Sequence, residues 1–463
     1  MYIRGEDRYR EHIEQYGHPS TFGFKDVIRE WKADRWDPES LIELYKAAGA
    51  EYFVALANHH DNFDLWDSTY QEWNATRVGP MRNIVEEWRL AARNQDLRFG
   101  LSVHASHAWS WYEPSQGSDA DGPLKGVPYD GVLTKQDGVG SWWEGLDPQE
   151  LYAQNHRPTP MEPNMWSVLK YWEWKEGYPA PTKEYCEKFL NRTIELIDRF
   201  EPDLIYFDDT VFPLYPVSDV GLRIAAHYYN HHPDAVINGK ILSEEQKKAM
   251  VWDIERGQTA EIEPLPWQTC TCLGDWHYKQ SVYENNGYKS AAFVIQMLVD
   301  VVSKNGNLLL SVPLRGDGSL DEKEVAILED ISKWMTVHRE SIVGTRPWKV
   351  CGEGPSLKSS KPLSAQGFNE GTSQPNTAAD LRFTCKEDRI YVTALGRPNQ
   401  KVTITSMAKS SPHCDFSIEE IHLLGSGRKL GFDHNDEALT VWLDPFEGNN
   451  VATVFALDLR KAR

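Results

Sequence analysis

The sequence predicts an α/β chain: a (β/α)8-type barrel one strand short of closure, followed by a β-sandwich. Three observations carry that prediction. Short, continuously apolar runs alternate with helical patterns up to residue 345, the mark of a parallel sheet covered on both faces. Polar and charged residues gather directly after those runs, where a parallel barrel places its site. Beyond Arg346 the hydrophobic period changes to two without intervening helices, which fits an antiparallel sandwich.

In chain order, Pro38-Glu39-Ser40 opens a helix through Leu41, Leu44, Tyr45 and Ala48, and Gly49 ends it. Tyr52 to Ala57 reads as a buried strand. Met81 to Arg93 is helical, with Ile84, Val85, Trp88 and Ala92 on one face. Phe99 to His104 is the next strand. Residues 113–180, rich in Gly, Pro and Trp, break the rhythm and read as a lid or substrate-binding excursion. The alternation resumes with a helix from Thr182 to Phe200, the strand Leu204 to Phe207, and a helix from Val220 through Tyr229 capped by Ser218 or Asp219. Strands follow at Ala235 to Asn238, Met250 to Ile254 and Trp267 to Cys272. A helix from Ser290 to Ser303, a strand from Asn307 to Val312 and a helix from Asp321 to His338 complete the region. Seven candidate strands result.

The expected domains are a barrel over 1–345, a Gly/Ser/Pro/Lys-rich linker and second-domain start over 346–376, and a sandwich over 377–463. Alternating runs at Arg389 to Thr393, Lys401 to Thr405, Leu439 to Leu443 and Val451 to Leu457 mark the last part.

Composition excludes several classes. With 40% apolar residues and 18 Trp among 463, the chain is too rich in core-forming mass for disorder. A formal net charge of -20 disfavours nucleic-acid and anionic-membrane surfaces, so no partner of either kind is expected. The longest near-apolar stretch, Ala291 to Val302, contains Gln296 and Asp300, so no membrane span is read. The first residues show no basic stretch followed by an apolar one, so they are not read as a signal peptide. Six cysteines do not make a disulfide scaffold; Cys270 and Cys272 share a strand face without two further zinc ligands and read as buried thiols.

The strand ends carry Asn58-His59-His60-Asp61, His104-Ala105-Ser106-His107, Asp208-Asp209, Asn238, Asp253 with Glu255, and His277. Trp66, Trp109, Trp111, Tyr206, Trp252, Trp267 and Trp276 crowd the same ends. Flat aromatic faces pack on sugar C–H surfaces, and imidazoles and carboxylates bind hydroxyls, so the set favours a carbohydrate. No GxGxxG or Walker loop is present. Asp208 follows a rigid strand and is the candidate nucleophile, whereas Asp209 points the opposite way and reads as structural. The general acid is expected at Glu255, with Glu261 and Glu263 as alternatives; Arg256 must then face elsewhere. His59, His60, His104 and His107 read as hydroxyl ligands or support. With Asp61 they also compose a metal site on paper, yet no HExxH helix accompanies them, and no metal or cofactor is expected. Trp66 and Trp276 are candidate sugar platforms or packing residues.

These pieces resemble the alpha-L-fucosidases of glycoside hydrolase family 29. Ala48 to Tyr52 leading to Asn58-His59-His60-Asp61-Asn62-Phe63-Asp64-Leu65-Trp66-Asp67-Ser68 resembles the family's stretch in which paired histidines contact fucose. Glu201 to Asp208 resembles its nucleophile strand, with Asp209 where the family usually has Gly. Pro266 to Tyr278 looks like its late barrel signature, and Asn305 to Pro313 like its final strand. The likeness covers residues 1 to 345, and a C-terminal β-sandwich also fits the family.

The family's barrel begins with a strand carrying a fucose-contacting His, followed by a Glu-Trp pair. This chain starts at or after that pair, so truncation ahead of Met1 is the expectation. The family's tyrosine at the end of its third strand is also missing, and His104 or His107 is expected to replace its contact.

The resemblance implies retaining hydrolysis of terminal α-L-fucosyl linkages, with Asp208 as nucleophile, Glu255 as acid/base and a fucosylated glycan as partner. It also implies secretion or a periplasmic location in a bacterium. The rivals are another retaining glycosidase, a sugar-binding homologue without turnover, and a metal hydrolase.

Overall fold

The computed structural model describes residues 1–153, 156, 180–209, 212–364, 367–444 and 448–460. Seven parallel strands follow one another in sequence order along one sheet: β1 (Tyr52–Asn58), β2 (Arg98–Val103), β3 (Leu204–Phe207), β4 (Val236–Gly239), β5 (Val251–Glu255), β6 (Trp267–Cys272) and β7 (Gly306–Ser311). That is the order of a singly wound barrel with one strand fewer than eight. The seven strands coincide with the sequence-read runs to within a residue or two, because each is an apolar run too short to be a helix.

Two compact units divide the chain. The first comprises residues 1–42, 51–250 and 316–319, and the second 43–50, 251–315 and 320–463. In the first unit, α1 (Asp7–Tyr16) and α2 (Phe24–Glu30) precede α3 (Pro38–Ala47). The sequence reading did not separate α1 and α2, since both are short and mostly polar. Next come β1, α4 (Ile84–Asn94), β2, α5 (Lys183–Phe200), β3, α6 (Val220–His231) and β4. Helix α4 starts with its apolar face at Ile84, three residues after the expected Met81, because Asn83 caps it through Glu86 N–H. For α6, Asp219 stands at the N-cap without a side-chain bond, and Ser218 Oγ accepts Val220 N–H at 3.3 Å. The Gly/Pro/Trp-rich stretch forms short helical turns over 113–116, 130–132 and 135–138 and a helix at Pro148–Tyr152. The remainder of the expected lid, residues 157–179 above all, lies outside the described residues.

The second unit holds β5, β6, α7 (Ala291–Ser303), β7 and α8 (Glu322–His338), then the antiparallel sheets. Asp321 caps α8 in a reciprocal box with Glu324. The strands here are β8 (Arg346–Glu353), β9 (Leu381–Lys386), β10 (Arg389–Ala394), β11 (Lys401–Ile404), β12 (Ile418–Leu423), β13 (Arg428–Lys429), β14 (Phe432–His434), β15 (Leu439–Trp442) and β16 (Thr453–Leu459). One sheet runs β13-β12-β16-β10-β9-β8 and the other β11-β15-β14. Their core is Trp348, Phe383, Val392, Ile404, Val441 and Phe455, alternate residues turned inward. Strand β8 (Arg346–Glu353) pairs with β9 (Leu381–Lys386), so the stretch expected to open as a linker begins as sandwich strand. Pro347 and Gly352 in β8 hide its alternation, and the register with β9 shifts between them.

Candidate active site

Strand register assembles the first unit's site. Ser102 of β2 pairs with Tyr206 of β3, and Tyr206 pairs with Asn238 of β4. Paired residues in a parallel ladder share a face, so two residues onward His104, Asp208 and Lys240 share one as well. The contacts agree. His104 Nδ1 lies 3.1 Å from Asp208 Oδ2, and Lys240 Nζ touches Asp208 Oδ1. Burial pushes the Asp208 carboxyl up, but the Lys240 ammonium and the His104 imidazole outweigh it and hold the group well below the usual carboxylate range. Asp208 is therefore an ionised carboxylate with a cation at one oxygen and an imidazole at the other.

The turn after β1 adds two rings. His60 Nδ1 donates to the His104 carbonyl oxygen at 2.8 Å, which leaves Nε2 as the lone-pair nitrogen. Burial, with His107 and His104 nearby, pushes the His60 pKa down to about 3 and keeps the ring neutral. Trp111 packs on it at 4.8 Å between centroids. His59, half-buried, stacks on His104 at 4.8 Å. The lone-pair nitrogen of His60 beside a fixed carboxylate suits the binding of sugar hydroxyls. One ligand atom each from His59, His60, His104 and Asp208 also falls within 4.8 Å of the others, the spacing of a metal cluster. The Lys240 ammonium already supplies positive charge to that carboxylate, which favours the hydroxyl reading.

Behind the strand end, Asp209 accepts Ser106 Oγ at 2.7 Å and meets His107 Nε2 at 2.7 Å, with all three groups buried. His107 thus engages Asp209 while its ring stands edge-on to His60, 5.9 Å between centroids. Trp66 is fully buried and donates its indole N–H to Glu195 at 3.0 Å, so its ring faces are packed rather than presented to a sugar. The loop doubles back, with Leu65 N–H on the Ala57 carbonyl, and that return drives the ring inside.

In the second unit, Glu255 ends β5, half-buried, and its carbonyl accepts Phe368 N–H at 2.8 Å. Arg256 turns to Glu370, donating Nε at 3.0 Å, so the adjacent cation is engaged by another carboxylate. Asp253, fully buried, accepts Gln268 Nε2 at 2.7 Å and Cys270 Sγ at 3.1 Å. Glu261 and Glu263 lie on a return loop at the amino end of the strands. Glu263 N–H donates to the Lys304 carbonyl, and Thr259, whose hydroxyl bonds the Glu261 carbonyl, accepts Lys304 Nζ at 2.9 Å. A parallel barrel keeps its chemistry at the other end. Trp276 follows β6 at the carboxyl end and is half-buried.

Lys240 is the site residue that sequence reasoning missed. The usable signal was its position two residues past Asn238, matching Asp208 two past Tyr206, but using it requires the register.

A family model described as Alpha-L-fucosidase matches residues 1–340. The chain belongs to the alpha-L-fucosidase family. The alpha-L-fucosidase of Dictyostelium discoideum is 23% identical over 348 residues, covering 74% of this chain and 62% of that protein. The chain thus spans less than two thirds of that relative's length. Human plasma alpha-L-fucosidase is 23% identical over 431 residues, covering 90% of this chain and 73% of the relative. Among solved structures, the Thermotoga maritima alpha-fucosidase in complex with fucose superposes with a TM-score of 0.66 at 22% identity, covering 98% of this chain and 86% of that one. A Bacteroides thetaiotaomicron alpha-L-fucosidase trapped as a covalent intermediate gives 0.64 at 14% identity, covering 98% and 88%. These likenesses show that the fucosidase fold runs through the chain.

Proposed function

We propose that the chain is a retaining exo-α-L-fucosidase in which Asp208 is the nucleophile. The observation that carries this reading is the setting of Asp208 at a strand end, held ionised by Lys240 and His104 beside the His59–His60 turn. Asp208 attacks the anomeric carbon as the bond to the leaving oxygen breaks, and Glu255 protonates that oxygen. Water, deprotonated by Glu255, then opens the fucosyl ester and releases fucose with its configuration retained. This double displacement calls for the two carboxyl groups to stand about 5–5.5 Å apart. His59 and His60 take the ring hydroxyls, beside His104, whose two ring nitrogens meet Asp208 and Ser102. The sugar's methyl group contributes only about 0.8 kcal/mol on burial, so selection against galactose rests on excluding the extra hydroxyl.

Fucosylated glycans and glycoconjugates are the proposed substrates. Among the described strands of its sheet, β1 pairs with β2 alone, so turnover by this chain on its own reads directly whether seven strands suffice.

The test is Asp208→Gly with 4-nitrophenyl α-L-fucoside. Turnover should vanish and return with azide as β-fucosyl azide, because the small nucleophile enters the vacated face. Unchanged hydrolysis by the variant would refute the assignment.

A further inference from the structure

The turn that carries His59 and His60 is held from behind by one helix residue. Arg192, on the inner face of α5 and 2% exposed, donates Nε to Asp64 Oδ2 at 3.0 Å, Nη2 to Asp64 Oδ1, and Nη1 to Asn62 Oδ1 at 2.6 Å. Asp64 in turn accepts Asn58 Nδ2 at 3.0 Å, and the Asn58 main-chain and side-chain oxygens both accept His104 N–H at 3.2 Å. Asn62, in the left-handed region at φ 60°, closes the turn with its N–H on the His59 carbonyl at 3.0 Å. A single planar guanidinium therefore fixes the residues after the turn directly and Asn58 before it through Asp64, and the same network reaches the backbone of His104. The three donors act in one rigid fork, which a lysine cannot reproduce.

We propose that Arg192 is the positioning residue of the sugar site, setting the His59–His60 turn against His104 without touching the substrate. The proposal rests on the reading of His59 and His60 as hydroxyl ligands. A buried ion pair is weak evidence for net stability, because desolvation offsets its attraction, whereas a bidentate fork does fix geometry. Misplacing binding groups by about 1 Å costs on the order of 100-fold in rate.

The experiment compares wild type, Arg192→Met, Arg192→Lys and Asn62→Gly in the full chain, assayed on 4-nitrophenyl α-L-fucoside well below their melting temperatures. Asn62→Gly keeps the left-handed backbone and leaves the Arg192–Asp64 pair in place while removing the Arg192 contact and the two bonds from Asn62 Nδ2 to the Glu150 and Leu151 carbonyls, so it serves if Arg192→Met fails to fold. Expected is a fall in kcat/KM of about 100-fold for Arg192→Met and about 10-fold for Asn62→Gly, carried mainly by KM. Millimolar guanidinium should partly restore Arg192→Met, and Arg192→Lys should rescue little.

A second readout does not depend on turnover. Long-range ¹⁵N–¹H spectra of the His60 ring should show its Nδ1–H tautomer in wild type and loss of that single state in both variants. Variants that melt earlier but keep KM and the His60 spectrum would overturn the proposal. A wild type that cleaves no fucoside, with the His60 change present, would instead overturn the functional reading alone.

Discussion

The mouth of the sheet at β3 and the layer just behind it are built from neighbouring residues, yet they hold their carboxylates in opposite ways. At the mouth, Asp208 meets Lys240 and His104 and remains charged. Behind it, Asp209 is saturated by Ser106 and His107 in a buried cluster. Strand alternation alone separates the two. The lesson is that a nucleophile needs partners that preserve its charge at a half-buried position with room for substrate, whereas an anchor is enclosed by protein groups on every side.

Replacing the two carboxylates in turn breaks the comparison most sharply. Asp208→Ala should lower kcat on a nitrophenyl fucoside by on the order of 10⁴-fold or more, as removal of a nucleophile does elsewhere. Lys240→Met should come next, with kcat down about 100-fold through loss of a fixed charge beside the reacting group. Because Lys240 holds the Asp208 pKa down, its removal should move the acidic limb of kcat/KM to higher pH, and a full pH–rate profile reads that shift. Asp209→Asn should do the reverse of Asp208→Ala. Its unfolding free energy from urea melts should fall by about 3–5 kcal/mol, while turnover per folded molecule stays within about tenfold.

The effect most local in pH concerns stability at His60. Its folded pKa lies near 3, below the unfolded value of 6.5, so its contribution is present above pH 6.5 and fades as pH falls towards 3. The slope is up to about 1.4 kcal/mol per pH unit. His60→Gln should flatten the urea-melting profile over that window, and an unchanged profile would show that the ring is not buried neutral.

Much of this was readable from residues alone. The seven strands, the caps at Thr182, Ser290 and Asp321, and the opposed aims of Asp208 and Asp209 follow from periodicity and capping chemistry. What stayed hidden depends on long-range pairing. Lys240 looks like a solvated lysine past a short strand until the β3–β4 register places it on Asp208. Arg192 looks like the polar side of a helix until the turn after β1 folds onto it. Trp66 stands where platforms stand, but the return of its own loop buries it. Strand β8 escaped notice because proline and glycine interrupt its alternation.

Trapping with 2-fluoro-fucosyl fluoride tests the central claim most directly, since the 2-fluorine slows both steps while the fluoride leaving group restores only formation of the ester. Peptide mapping by mass spectrometry should place one fluorofucosyl group on Asp208. A label on Asp209 or Glu255, or none after prolonged incubation with a turning-over enzyme, would contradict the account.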